Sequence, residues 1–163
     1  MGRASNKENK NIYQLSRENC GLTRAQASEK LVWITDSRIE KIESGKSSAV
    51  PEEVIAMQEA YNKQNLCNYY CANECAIGKK NKVRELKEKS ISEIVLEMLA
   101  TLNSLDRMKE RLIEITSDGK IDDEKEYIDF LSIQNKLENI TDIVASLNMW
   151  MNKAVADGLV NFN

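Results

Sequence analysis

Four cysteines are the residues whose chemistry shows first. Cys67, Cys71 and Cys75 in "LCNYYCANEC" stand at i, i+4 and i+8, and Cys20 is the fourth. On a helix, positions spaced by four share a face that drifts about 40° per step. Three readings fit: buried structural thiols, a metal site of zinc or iron–sulfur type, and a redox pair. Geometry limits the second, because Cys67 and Cys75 lie about 12 Å apart along a regular helix of about 1.5 Å rise per residue. A shared metal therefore requires the helix to break near "ANEC", and the C-x2-C knuckle spacing is absent. No resident cofactor is expected.

The chain has 163 residues and no histidine, which removes Ser-His and Cys-His catalysis and every His-containing metal site. There is no Gly-rich phosphate loop and no nucleophile motif, so an enzyme is not expected. "TSDGKIDDEKE" has the glycine of a calcium loop, but Lys125 stands where the bidentate acid belongs.

Apolar residues make up 42% and charged residues 30%, enough for a packed core. One proline and six glycines point to an all-α chain, since sandwiches and barrels need many turn breakers. Charge is uneven: residues 1–80 carry 12 basic and 10 acidic residues, net +2, and residues 81–163 carry 11 and 16, net -5. No apolar run reaches membrane-spanning length, and "MGRASNKENK" lacks a signal-peptide core, so a cytoplasmic protein without membrane contact is expected.

The elements that position these residues follow from caps and periodicity. Residues 1–10 read as a flexible tail. Ile12 and Leu15 form the apolar side of a short helix stopped by Gly21. Thr23 caps "RAQASEKL", and Thr35 caps a helix of about 36–44 that ends at Gly45. Pro51, Glu52 and Glu53 suit the first turn of a fourth helix, with Val54, Ile55, Met57 and Tyr61 on its apolar side. A fifth holds "NLCNYYCANEC", and "AIGKKNK" reads as a boundary.

From about Val83 the period becomes heptad. Ile91, Ile94, Met98, Thr101, Leu105, Met108, Leu112 and Ile115 form one seam. Phe130, Ile133, Leu137, Ile140, Val144, Leu147 and Met151 form a second, with "SDGK" between. Two helices of roughly 30 residues folded back as an antiparallel hairpin are expected. Val95 and Leu102 flank the first seam, and Tyr127, Leu131, Ile143 and Trp150 the second. This surplus apolar surface points to a homodimer through residues 83–157, the alternative being that the head covers it.

"GLTRAQASEKL", a short connection, "TDSRIEKIESGK" and "PEEVIAMQEAY" together resemble the Cro and phage-repressor-like, or XRE, helix-turn-helix family of bacterial regulators. The turn "LVWIT" is one residue longer than the family's "LGVS". The resemblance implies a five-helix lambda-repressor-like head over 11–66, ahead of a cysteine-containing connector (67–82), the hairpin (83–157) and a short tail (158–163). It also implies binding to double-stranded DNA, with the third helix in the major groove. Arg24 then lies near a phosphate. Thr35 belongs to the DNA-binding set, Asp36, Ser37 and Arg38 lie near base edges, Arg38 suited to a bidentate guanine contact, and Lys41 and Lys46 lie near the flanking backbone. Asp36 and Glu40 oppose phosphate approach, which keeps open a second reading of the head as a protein-interaction module. "LCNYYCANECAIGK" is similar to a segment following such heads in some clostridial-type regulators.

Overall fold

The computed structural model describes residues 10–160; most of the expected N-terminal tail and the last three residues of the C-terminal one lie outside them. The described residues are all-α, with nine helices. Contacts divide the chain into two units, Met1–Leu86 with Asn152–Asn163, and Lys87–Met151.

In the first unit, α1 (Ile12–Asn19), α2 (Arg24–Leu31), α3 (Asp36–Glu43), α4 (Pro51–Ala60), α5 (Leu66–Asn73) and α6 (Ala76–Lys80) follow one another. The polar caps sit where one-turn chemistry places them. Asn11 accepts from the Gln14 N–H, Thr23 forms a capping box with Gln26, and Thr35 accepts from the Arg38 N–H. Gly45 follows α3 at φ +72°, a left-handed stop that costs a residue without Cβ nothing. The core is Tyr13, Ala27, Leu31, Ile34, Ile39, Ile42, Val54, Met57, Tyr61 and Leu66, with Ala49 and Ala60.

Leu15 departs from expectation: it is 44% exposed, and the buried face of α1 is Tyr13, Gln14, Ser16 and Arg17. Polar partners set that rotation. Arg17 meets buried Glu43, and the Tyr13 hydroxyl donates to Glu74 at 3.0 Å. Turning Leu15 inward would unpair both, and unpaired buried polar groups cost more than one half-buried leucine gains.

The cysteine segment packs on this core. Cys67 and Tyr70 lie against it, and Tyr13 meets Tyr69 edge to face at 6.4 Å. α5 ends at Asn73, and Cys75 is the N-cap of α6. The stretch expected as a boundary thus forms a helix of its own, packed on α5 through Gly78. A Cβ on Gly78 would stand 1.9 Å from the Cys71 carbonyl oxygen. Residues 83–89 are not helical; Asn68 pins them by donating to the Arg84 carbonyl and accepting from the Leu86 N–H.

The long α2–α3 connection is resolved by an unusual turn. Val32 sits at φ 61°, ψ -53°, and the Trp33 N–H donates to the Leu31 carbonyl at 2.7 Å. That i to i+2 bond around a positive-φ residue is the strained form of the γ-turn. It absorbs the additional residue while leaving Ile34 buried, and it holds Val32 (87%) and Trp33 (57%) out in solvent. A β-branched residue here carries strain of about 1–3 kcal/mol. Val32→Gly is expected to raise stability by about 0.5–1.5 kcal/mol, the relief exceeding the roughly 1 kcal/mol that glycine adds to the unfolded chain's entropy. Urea denaturation checks this, and an unchanged or lower midpoint counts against strain.

The second unit holds α7 (Ile91–Asp106), α8 (Lys109–Thr116) and most of α9 (Glu124–Ala156). Ser90 and Glu93 form the capping box that starts α7. The first arm is two helices where one was expected. A tight turn closed by the Met108 N–H on the Leu105 carbonyl separates them, and Asp106 pairs with Lys109 across it. Asp118-Gly119 turns the chain, and Asp123 accepts from the Glu126 N–H at the start of α9. The arms run antiparallel: Arg111 Nε donates to Asp129 at 2.8 Å, and Lys136 Nζ to the Ser104 hydroxyl.

Along the first arm the heptad positions are those withdrawn from solvent, with Ile94 and Ile115 fully buried. On α9 the expected seam is corrected. Leu137, Val144 and Met151 are exposed, and Ile133, Ile143, Ser146, Met149 and Ala154 are buried. At about 100° per residue, Leu137 and Val144 lie on one flank of the stripe through Ile133, Ile140 and Leu147, and Ile143 lies on the other. The first arm packs on the Ile143 flank, so that flank is buried and the other is left in solvent, while Ala154 is buried within the first unit.

Candidate nucleic-acid interface

α3 is fixed from beneath by Ile39 and Ile42, both buried, and at its end by Asn11, whose amide donates to the Ile42 carbonyl at 2.8 Å. α2 crosses it with Ala27 fully buried, and the Ser28 hydroxyl donates to the Ile34 carbonyl. Small residues at the crossing let the two axes approach. The exposed side of α3 then carries Asp36, Ser37, Glu40 and Lys41, with Thr35 exposed at its N-cap.

Beneath that surface lies a charge cluster. Arg17 grips Glu43 with two bonds, Nε to Oε1 at 2.5 Å and Nη2 to Oε2 at 3.0 Å, and its Nη1 donates to the Leu22 carbonyl. Arg24 adds a third bond, Nε to Glu43 Oε2 at 2.8 Å. Burial lowers the Arg17 pKa, but hydrogen bonding and charge from Glu43 bring it above the ordinary guanidinium value. The carboxylate thus locks α3 to α1 and to the first turn of α2. Glu43 faces inward.

Arg38 is also committed within the domain. Its Nε and Nη2 donate to the two Glu53 oxygens at 2.6 and 2.7 Å, and its remaining nitrogen and a second Nη2 bond reach Ser47 and the Ser48 carbonyl. Glu53 also accepts the Val50 N–H, capping α4. Burial works to raise the Glu53 pKa, and Arg38 with the Val50 N–H outweighs it, holding the carboxyl below its usual range. The donor face that a bidentate guanine contact needs is therefore occupied by Glu53. The glutamate lies 15 residues away in the chain, and no spacing rule signals the pair. This pair and the Glu43 cluster are the functional framework that periodicity missed; the one clue was two acids, Glu43 and Glu53, at helical positions that face the core.

Residues 15–64 match the family model described as Helix-turn-helix. The chain carries an XRE-type helix-turn-helix domain. Neither the curated proteins nor the solved structures compared with it gave a match. The helix-turn-helix family is one of DNA-binding regulators, typically without catalytic activity, and no described helix is long and apolar enough to cross a membrane.

The other expected site residues of the helix-turn-helix domain can be placed. Lys41 is exposed. Lys46 is largely exposed and stands 3.6 Å from Glu40. Arg24 keeps about a third of its side chain in solvent. The cysteines do not converge: among the described residues no group of three or more His, Cys, Asp or Glu is arranged to hold a metal ion. The Cys20 thiol donates to the Tyr61 carbonyl, and burial, then Cys71 and Glu59, push the Cys67 thiol up.

Proposed function

We propose that this protein is a DNA-binding transcriptional regulator whose α3 enters the major groove. One observation carries the reading: the buried Glu43 cluster and Ile39–Ile42 present an exposed α3 surface beginning at a capped N-terminus, the geometry by which such a helix meets base edges. Asp36 and Ser37 stand nearest the bases, and an aspartate can accept from cytosine N4. Lys41, Lys46 and the exposed part of Arg24 contact phosphates. Arg38 acts by positioning, since it braces the loop after α3 against α4.

The experiment is a salt-dependent titration against DNA from the protein's own upstream region and against random DNA. Affinity should fall steeply with salt, and Lys41→Ala or Lys46→Ala should each weaken all sequences and lower the salt slope by about 1. Equal affinity for both DNAs at every salt concentration would sink the specific-regulator reading. A second reading, a helix-turn-helix kept for protein interaction, is favoured by the outward Asp36 and Glu40 and by the inward commitment of Arg38. No retention on DNA, with a protein captured through the same surface, would select it.

A further inference from the structure

The helical hairpin has one flank that is apolar and poor in charge along its middle, and we propose that this flank is where a second copy of the chain docks. The two cross-arm bonds, Arg111–Asp129 and Lys136–Ser104, share one antiparallel register in which residue numbers on the two arms add to 240. That register sets Leu102 within one residue of level with Leu137, and Val95 within one residue of level with Val144.

Counting about 100° per residue, Val95, Leu99 and Leu102 lie roughly 70–130° around α7 from its buried seam. Leu137 and Val144 lie roughly 60–90° around α9 from its own seam, in the same rotational sense. In antiparallel neighbours, equal rotational sense means the same side of the pair. The two strips therefore join into one face, and all five side chains are exposed. Scattered apolar residues on a surface need no partner, but five aligned on one face do.

Between residues 92 and 106 of α7 and 134 and 148 of α9, the other residues sharing this face include Gln134, Thr141 and Asn148, and the only charge is Asp106, paired with Lys109 at 3.0 Å; on α9 Glu126, five turns before Val144, bounds the strip at its N-terminal end. Glu93 and Glu97 lie around the other side of α7, and Ile128 around the other side of α9. Charge elsewhere selects the occupant. Residues 87–151 carry 8 basic and 14 acidic residues, net -6, so like-charge repulsion between two copies is least along this charge-poor face. A basic partner would find no anionic partner here. A two-fold copy meets apolar surface with apolar surface and few like charges.

The test uses the full chain without DNA, so its outcome is independent of the helix-turn-helix reading. Sedimentation equilibrium should show a dimer whose affinity does not weaken from low to high salt. Leu99→Glu and Val144→Glu should each weaken it by roughly 30-fold or more, and Ile128→Glu should leave it unchanged. Circular dichroism confirms that the variants keep their helices; if a glutamate variant does not, Leu99→Gln and Val144→Thr replace the pair. A wild-type chain that stays monomeric at about 100 µM, or a dimer broken by Ile128→Glu and not by the others, overturns the proposal.

Discussion

Glu43→Ala will destabilise the N-terminal unit by about 3–5 kcal/mol, the largest effect expected of any single substitution in this chain. The magnitude follows from what is left behind. The Glu43 side chain is 1% exposed and receives three guanidinium bonds, and its removal leaves Arg17, itself 7% exposed, charged, with only the Leu22 carbonyl bond and a 3.7 Å approach to Glu18 in compensation. A buried pair contributes little net stability against two apolar residues of similar volume, but breaking it from one side exposes the full desolvation cost of the survivor. Urea denaturation should therefore show a large fall for Glu43→Ala and a smaller one for Glu43→Leu combined with Arg17→Met. A single-variant loss under about 1 kcal/mol would mean that water reaches Arg17 and that the cluster does not lock the helices.

Gly78→Ala is the second. An added Cβ meets the Cys71 carbonyl oxygen at 1.9 Å, its carbon at 2.7 Å and its Cα at 3.1 Å. All three atoms are backbone inside α5, so no rotamer change relieves the contact; α6 must move off α5. Overpacking of this kind costs about 1–3 kcal/mol. Hydrogen exchange should show α6 amides losing protection, and the thiols of Cys67 and Cys71 should react faster once the cover lifts. Lys79→Ala, an exposed position in the same helix, should change stability by no more than about 0.5 kcal/mol. Equal behaviour of the two variants would show that α6 docks loosely and that Gly78 is no contact point.

These two effects separate what is local from what is not. Thr23, Thr35, Gly45 and the Pro51-Glu52-Glu53 start are each legible because a cap or stop acts within one turn of its own helix; Asn11 and Ser90 cap in the same way and are supplied by the structure. The helix-turn-helix pattern is readable for the same reason, its anchors Ile39 and Ile42 and its inward Glu43 lying four residues apart or fewer. The heptad pattern places the buried side of the first arm. On α9 it places the stripe of Ile133, Ile140 and Leu147 but not which flank of it is covered, because docking against the first arm selects Ile143 over Leu137 and Val144.

By itself the sequence determined that the chain is all-α, where most of its helices begin and end, and that its head follows the helix-turn-helix pattern, since each rests on contacts between near neighbours. Only the tertiary structure decided that Arg17 and Arg24 hold Glu43 across 26 and 19 residues, that Arg38 turns to Glu53 across 15, and that Gly78 lies on the backbone of Cys71. These depend on how finished helices dock, and docking is set by the shape and charge of faces that no single stretch of chain contains.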